Sequence, residues 1–193
     1  MKPQNLDSTN ALLEAFDQVA NSNSHLLVGE ANDDLRESFR RFATCRQLKE
    51  ELLNSDRARN WDNYHNFNEA AGWEPRSGEF YNGSKIEFSA ELAPDQFRQQ
   101  LVQLLNQGPC FHGKRLAETE AQKRVNDFCR DLLGANCNVL DVKPTFLYAW
   151  DPEDGEPPDQ VGALPYFEGR GADHCFAWKR QEQLLVLLLN GCP

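Results

Sequence analysis

The amino-acid sequence predicts an α+β fold: a helix-rich N-terminal half packed on a mainly antiparallel sheet, with a C-terminal β-hairpin supplying a central strand. Three observations carry this. Up to Leu133, apolar residues mostly recur every three or four positions, the period of one helix face. The run Ile86-Glu-Phe88-Ser-Ala90-Glu-Leu92 instead alternates strictly, the signature of a strand with one buried face. Leu184–Leu189 is apolar at every position, as a central strand covered on both faces would be. Helices that each bury one stripe against such a sheet give an α+β architecture.

The elements follow in order. Asp7-Ser8-Thr9 precedes Leu12, Leu13, Phe16 and Val19, which predicts a capped amphipathic helix. Leu26-Leu27-Val28 suits either a short strand or a joint between helices. From Asp33, the residues Leu35, Phe39, Phe42, Cys45, Leu48 and Leu52 mark one face of a long helix, with Asp33 and Asp34 at its positive end. Trp61, Tyr64, Phe67 and Ala71 predict a shorter helix stopping near Gly72. After the alternating strand, Pro94 fits a first helical turn, Phe97, Leu101, Leu104 and Leu105 form the buried stripe, and Gly108 is the stop. A further helix is predicted from about Lys114 to Leu133, then short strands at Val139–Val142 and Thr145–Trp150. The end reads as a hairpin: His174–Trp178, a polar turn at Lys179–Gln183, then Leu184–Leu189. At 193 residues, 40% hydrophobic and 26% charged, the chain fits one domain over residues 1–193, with residues 1–56 able to form a helical appendage, and can bury a core without covalent staples.

Charge narrows the function classes. The formal net charge is −10 and the pI about 4.9, which argues against nucleic acid as a partner, because phosphate binding needs a basic stripe. Arg36, Arg40, Arg41, Arg46, Lys49, Arg57 and Arg59 do cluster, but Glu37, Glu50, Glu51 and Asp56 are interleaved with them; a solvated helix face laced with ion pairs is the expected outcome. The N-terminal residues hold no apolar core of signal-peptide length, and no run approaches the roughly 20 apolar residues of a bilayer span, so no membrane association is expected. The six cysteines (Cys45, Cys110, Cys129, Cys137, Cys175, Cys192) form no C-x-x-C pair. In a chain this large they read as reduced thiols of a cytoplasmic protein, although an even count leaves disulfides open. Cys110 and His112 make a single Cys-x-His pair without a second one, so neither metal nor other cofactor is expected.

The most informative feature is the stretch Asp151-Pro-Glu-Asp-Gly-Glu-Pro-Pro-Asp-Gln160, with five acids, no base and three prolines in ten residues. Pro157 and Pro158 have no N–H to give a sheet, and five carboxylates demand water, so it is expected as a stiff exposed loop between two core segments. Asp151, Glu153, Asp154, Glu156 and Asp159 then form an anionic surface that attracts a basic protein partner. Their spacing lacks the EF-hand pattern and its central glycine, which sets calcium aside. The concrete version is a small inhibitor or immunity protein whose carboxylates occupy a cationic toxin's phosphate site. The alternative is a cysteine hydrolase. Cys110 before a helix, His174 opening a strand and Asn190 closing the hairpin follow the chain order of papain-like and cell-wall-amidase enzymes. In that scheme Cys110 attacks, His174 is the base and Asn190 orients the imidazole.

Two other segments have structural readings that suffice. Gly169-Arg-Gly-Ala-Asp-His174 could cradle an anion beside Arg170, but a tight turn explains its glycines. The aromatic and amide residues from Trp61 to Asn82 suit a recognition surface, and equally rings packed on the sheet with asparagines in water. The order of elements from Ser24 to Gln107 (strand, helix, aromatic-rich helix, strand, helix) resembles that of barstar-type inhibitors. The likeness spans under half of the chain, is an analogy of topology and carries no family assignment.

Overall fold

The computed structural model describes residues 2–20, 24–58, 86–108, 114–134, 137–147 and 173–189. Its elements are α1 (Asp7–Ala20), β1 (His25–Glu30), α2 (Leu35–Thr44), α3 (Arg46–Ala58), β2 (Phe88–Leu92), α4 (Pro94–Asn106), α5 (Glu118–Leu132), β3 (Val139–Val142), β4 (His174–Arg180) and β5 (Gln183–Leu189), with short 3-10 turns at Pro3–Asn5 and Pro144–Leu147. The strands form one sheet in the order β1-β5-β4-β3-β2, and every neighbouring pair is antiparallel. This is the α+β fold that the sequence predicts.

The C-terminal hairpin is the centre of the molecule. Strand β5 lies between β1 and β4, so its all-apolar sequence has a reason on each side. Leu185, Leu187 and Leu189 enter a cluster with α1, α4 and α5, while Leu184, Val186 and Leu188 enter a second cluster with α2 and α3. Each such leucine contributes about 1.5–3 kcal/mol of transfer free energy, which makes this strand the principal apolar contributor to the core. The neighbouring β4 repeats the division, with Phe176 and Trp178 on the first face and Cys175 and Ala177 on the second. Trp178 is fully buried, and its indole N–H donates to the Leu132 carbonyl at 3.1 Å, closing the end of α5 onto the sheet. Its turn, Gln181-Glu182, places Gln181 at φ 56°, the one non-glycine residue of the described chain in the left-handed region.

Five sequence expectations differ in detail. The predicted long helix from Asp33 is two helices, α2 and α3, because Cys45 is extended at φ −98° and ψ 164°. The bend lets α3 cross β1 while Phe39, Phe42, Leu48 and Leu52 all stay buried on one face. Asp7-Ser8-Thr9 lies inside the first turn of α1 rather than before it, and two of its side chains bind at a distance: Ser8 donates to Asp131 at 2.7 Å and Thr9 to the Pro3 carbonyl at 2.8 Å. The alternation from Ile86 to Leu92 does not give one buried face. A register shift between Phe88 and Ala90 turns Phe88 toward the α2 side and Leu92 toward the α4 side, leaving Ser89, Ala90 and Glu91 exposed. Thr145–Trp150 is not a strand where it is described: Pro144 opens a 3-10 turn, and Phe146 and Leu147 are buried beneath α2. The fifth helix begins at Glu118, not Lys114.

The α4 boundaries agree with the sequence. Pro94 occupies the first turn, the Gln96 side chain accepts the Ala93 N–H at 2.8 Å, and Gly108 ends the helix. A side chain at 108 would collide with the Leu104 carbonyl oxygen. The predicted helix at Trp61–Gly72 lies outside the described residues. Among those residues, no helix is long and apolar enough to cross a membrane.

Candidate functional site

The acidic stretch, with Asp151, Glu153, Asp154, Glu156 and Asp159, lies outside the described residues, as do Cys110 and Asn190. The nearest described residues are Leu147 before the stretch and Asp173 after it. Before it, Phe146 and Leu147 pack among α2 side chains; after it, Asp173 leads into β4. Strands β3 and β4 are neighbours, with Val142 paired to Cys175, so residues 148–172 connect strand ends that lie side by side.

His174 is the sequence-predicted site residue that the structure describes. It opens β4 opposite Leu189, the residue that precedes Asn190 in the chain. Its ring is half-buried and stacks on Phe176, with centroids 5.9 Å apart and planes 5° from parallel. Burial lowers its pKa below the usual imidazole value, so the neutral ring is the favoured form near neutral pH. Asp141 of β3 pairs with Phe176 and so lies one diagonal step from His174 on the same face of the sheet. Burial pushes the Asp141 carboxyl up, and a hydrogen bond with Gln100 of α4 opposes that shift. Two titratable groups shifted toward their neutral forms thus lie on one face and at one end of the sheet.

Sequence reasoning missed Asp141 and Gln100. A lone aspartate in a four-residue strand carries no spacing signal, and the glutamine that meets it lies on a different element. Three of the described cysteines make poor nucleophiles. Burial drives the Cys175 thiol far up, with the Asp141 charge adding to it, pushes Cys129 up to about 12, and raises Cys137. The expectation that a helix N-terminus acidifies Cys110 loses part of its basis, since α5 starts at Glu118 and holds Glu118 and Glu120 in its first turn. Among the described residues, no group of three or more His, Cys, Asp or Glu side chains could hold a metal ion.

The basic stretch of α2 and α3 contains both an expected and an unexpected arrangement. Arg46 and Glu50 make the expected pair four residues apart, at 3.1 Å. Arg36 and Arg40, however, both direct their guanidiniums at the ring of Phe88 on β2, 5.3 and 5.0 Å from its centroid. Comparison of the chain with models of known protein families, with curated proteins and with solved structures gives no match.

Proposed function

We propose that this is a small acidic binding protein that recognises a basic protein partner through Asp151, Glu153, Asp154, Glu156 and Asp159, in the manner of an inhibitor or immunity protein of a cationic toxin. One observation carries the reading: five acids and no base in ten residues account for half of the formal charge of −10. The nearest described chain supports it, because Phe146–Leu147 before residues 148–172 and β4 after them both pack in the core. A tether held at both ends reduces the entropy lost on binding. Three prolines in the same segment act in that direction too. The cytoplasm, where unpaired cysteines persist, is the compartment this reading implies.

The test is affinity capture from native lysate, followed by measured affinity for the retained protein. Asp151→Lys, Glu153→Lys and Asp154→Lys together are expected to weaken binding by about 100-fold at low ionic strength and much less in high salt. Unchanged affinity would contradict the reading.

A second reading, a cysteine hydrolase using Cys110, His174 and Asn190, is favoured by the neutral imidazole at the start of β4 beside the end of β5. Cys110→Ala separates the two: it abolishes hydrolysis but leaves partner capture intact.

A further inference from the structure

Arg36 and Arg40 are one helical turn apart on α2, which sets their stems roughly 5–6 Å apart on one face. Both heads end beside the ring of Phe88, and that ring is itself wedged edge-on against Phe39 at 6.0 Å. A cation–π contact uses the charge of a guanidinium without consuming its N–H donors. What those donors meet is incomplete. Arg36 reaches Glu91 only at 3.7 Å, and the Arg36 side chain remains 52% exposed. Arg40 is exposed and has no carboxylate within ion-pair distance among the described residues. An aromatic ring shared by two arginines does not neutralise their charge.

We propose that Arg36 and Arg40, held by Phe88, form an oxyanion-binding site on the α2 face of the sheet edge. The ligand chemistry is a carboxylate or phosphoryl group accepting paired N–H donors from two forks. The strongly negative net charge is no obstacle at this range. At physiological salt the Debye length is about 8 Å, so exposed carboxylates beyond that range are largely screened, and Glu91, 3.7 Å from Arg36, is the carboxylate paired at the site among the described residues. The site goes beyond the acidic-surface reading and does not depend on it. Two sources could supply the oxyanion: a group from outside the chain, or the chain's own acidic stretch, which begins four residues after Leu147 in the sequence.

The test is a titration of the full-length isotope-labelled chain with inorganic phosphate, read at the arginine Nε signals. A second sample carries Asn or Gln in place of Asp151, Glu153, Asp154, Glu156 and Asp159. Saturable shifts at Arg36 and Arg40, with Arg46 and Arg130 unmoved, are expected in at least one of the two chains. Arg40→Gln should weaken phosphate by about tenfold or more, and Arg40→Lys by less, because it keeps the charge but loses the fork. Equal phosphate affinity in both chains assigns the site to an external ligand; a rise of about tenfold on neutralising the acidic stretch assigns it to the chain's own carboxylates. No saturable shift in either chain, or equal shifts at Arg46 and Arg130, would overturn the proposal. Partner capture that survives neutralisation of the acidic stretch, with these shifts intact, would count against the acidic surface alone.

Discussion

Single residues decide how tightly the layers close. Gly29 in β1 lies under Phe42 of α2: a Cβ there would stand 2.6 Å from the ring. Gly29→Ala is expected to cost about 1–3 kcal/mol by overpacking, visible as a lower urea midpoint with an unchanged slope. Phe42→Leu in the same chain should recover part of the loss. Asp141 sets a pH dependence. Its folded pKa is raised by burial, so the folded state binds the proton more tightly than the unfolded state. The penalty for ionising it is absent below the unfolded value near 3.8 and complete above the folded value. Asp141→Asn is therefore expected to stabilise the protein at neutral pH and to change little in strong acid, as denaturant unfolding across pH would show. His174 has the opposite sense. Its folded pKa is lowered, so stability held above the unfolded value near 6.5 falls away as the pH drops through that value. His174→Gln should flatten the slope there.

At the scale of elements, the two sheet edges are managed differently. The free edge of β1 is covered by α3: Glu51 accepts a hydrogen bond from the Val28 N–H, and Ser55 meets the His25 ring. Glu51→Ala is expected to leave the Val28 amide unpaired, costing about 1 kcal/mol and speeding its hydrogen exchange. The edge at β2 is instead protected by its bulge and the charge of Glu91, features that discourage edge-to-edge pairing. Much of this level was legible in the sequence. The β5 leucines gave its place inside the sheet, and Pro94 and Gly108 gave the ends of α4, because each is a local rule with a local cause. The break at Cys45 was not legible. The apolar spacing from Leu35 to Leu52 runs through it, and the need to cover β1 comes from an edge far away in sequence. The bulge in β2 was hidden for a similar reason: Phe88 answers to Phe39, while Leu92 answers to the α4 cluster.

For the whole molecule, charge and fold are largely separable. The sheet and its two clusters are apolar, and the described ion pairs lie at the surface, where such pairs add little to stability. Reversing charges in the acidic stretch should consequently alter recognition and leave unfolding nearly untouched. The candidate site was legible as composition, since a run of carboxylates and prolines is read without knowing the fold. The Asp141–His174 pair and the arginines around Phe88 were not, because β3 and β4, and α2 and β2, meet only after folding. The most direct test is the salt dependence of affinity for the captured basic partner, compared between the native chain and the Asp151→Lys, Glu153→Lys, Asp154→Lys variant. An acidic docking surface predicts a steep slope for the native chain that largely disappears in the variant; parallel slopes with equal affinities would contradict it.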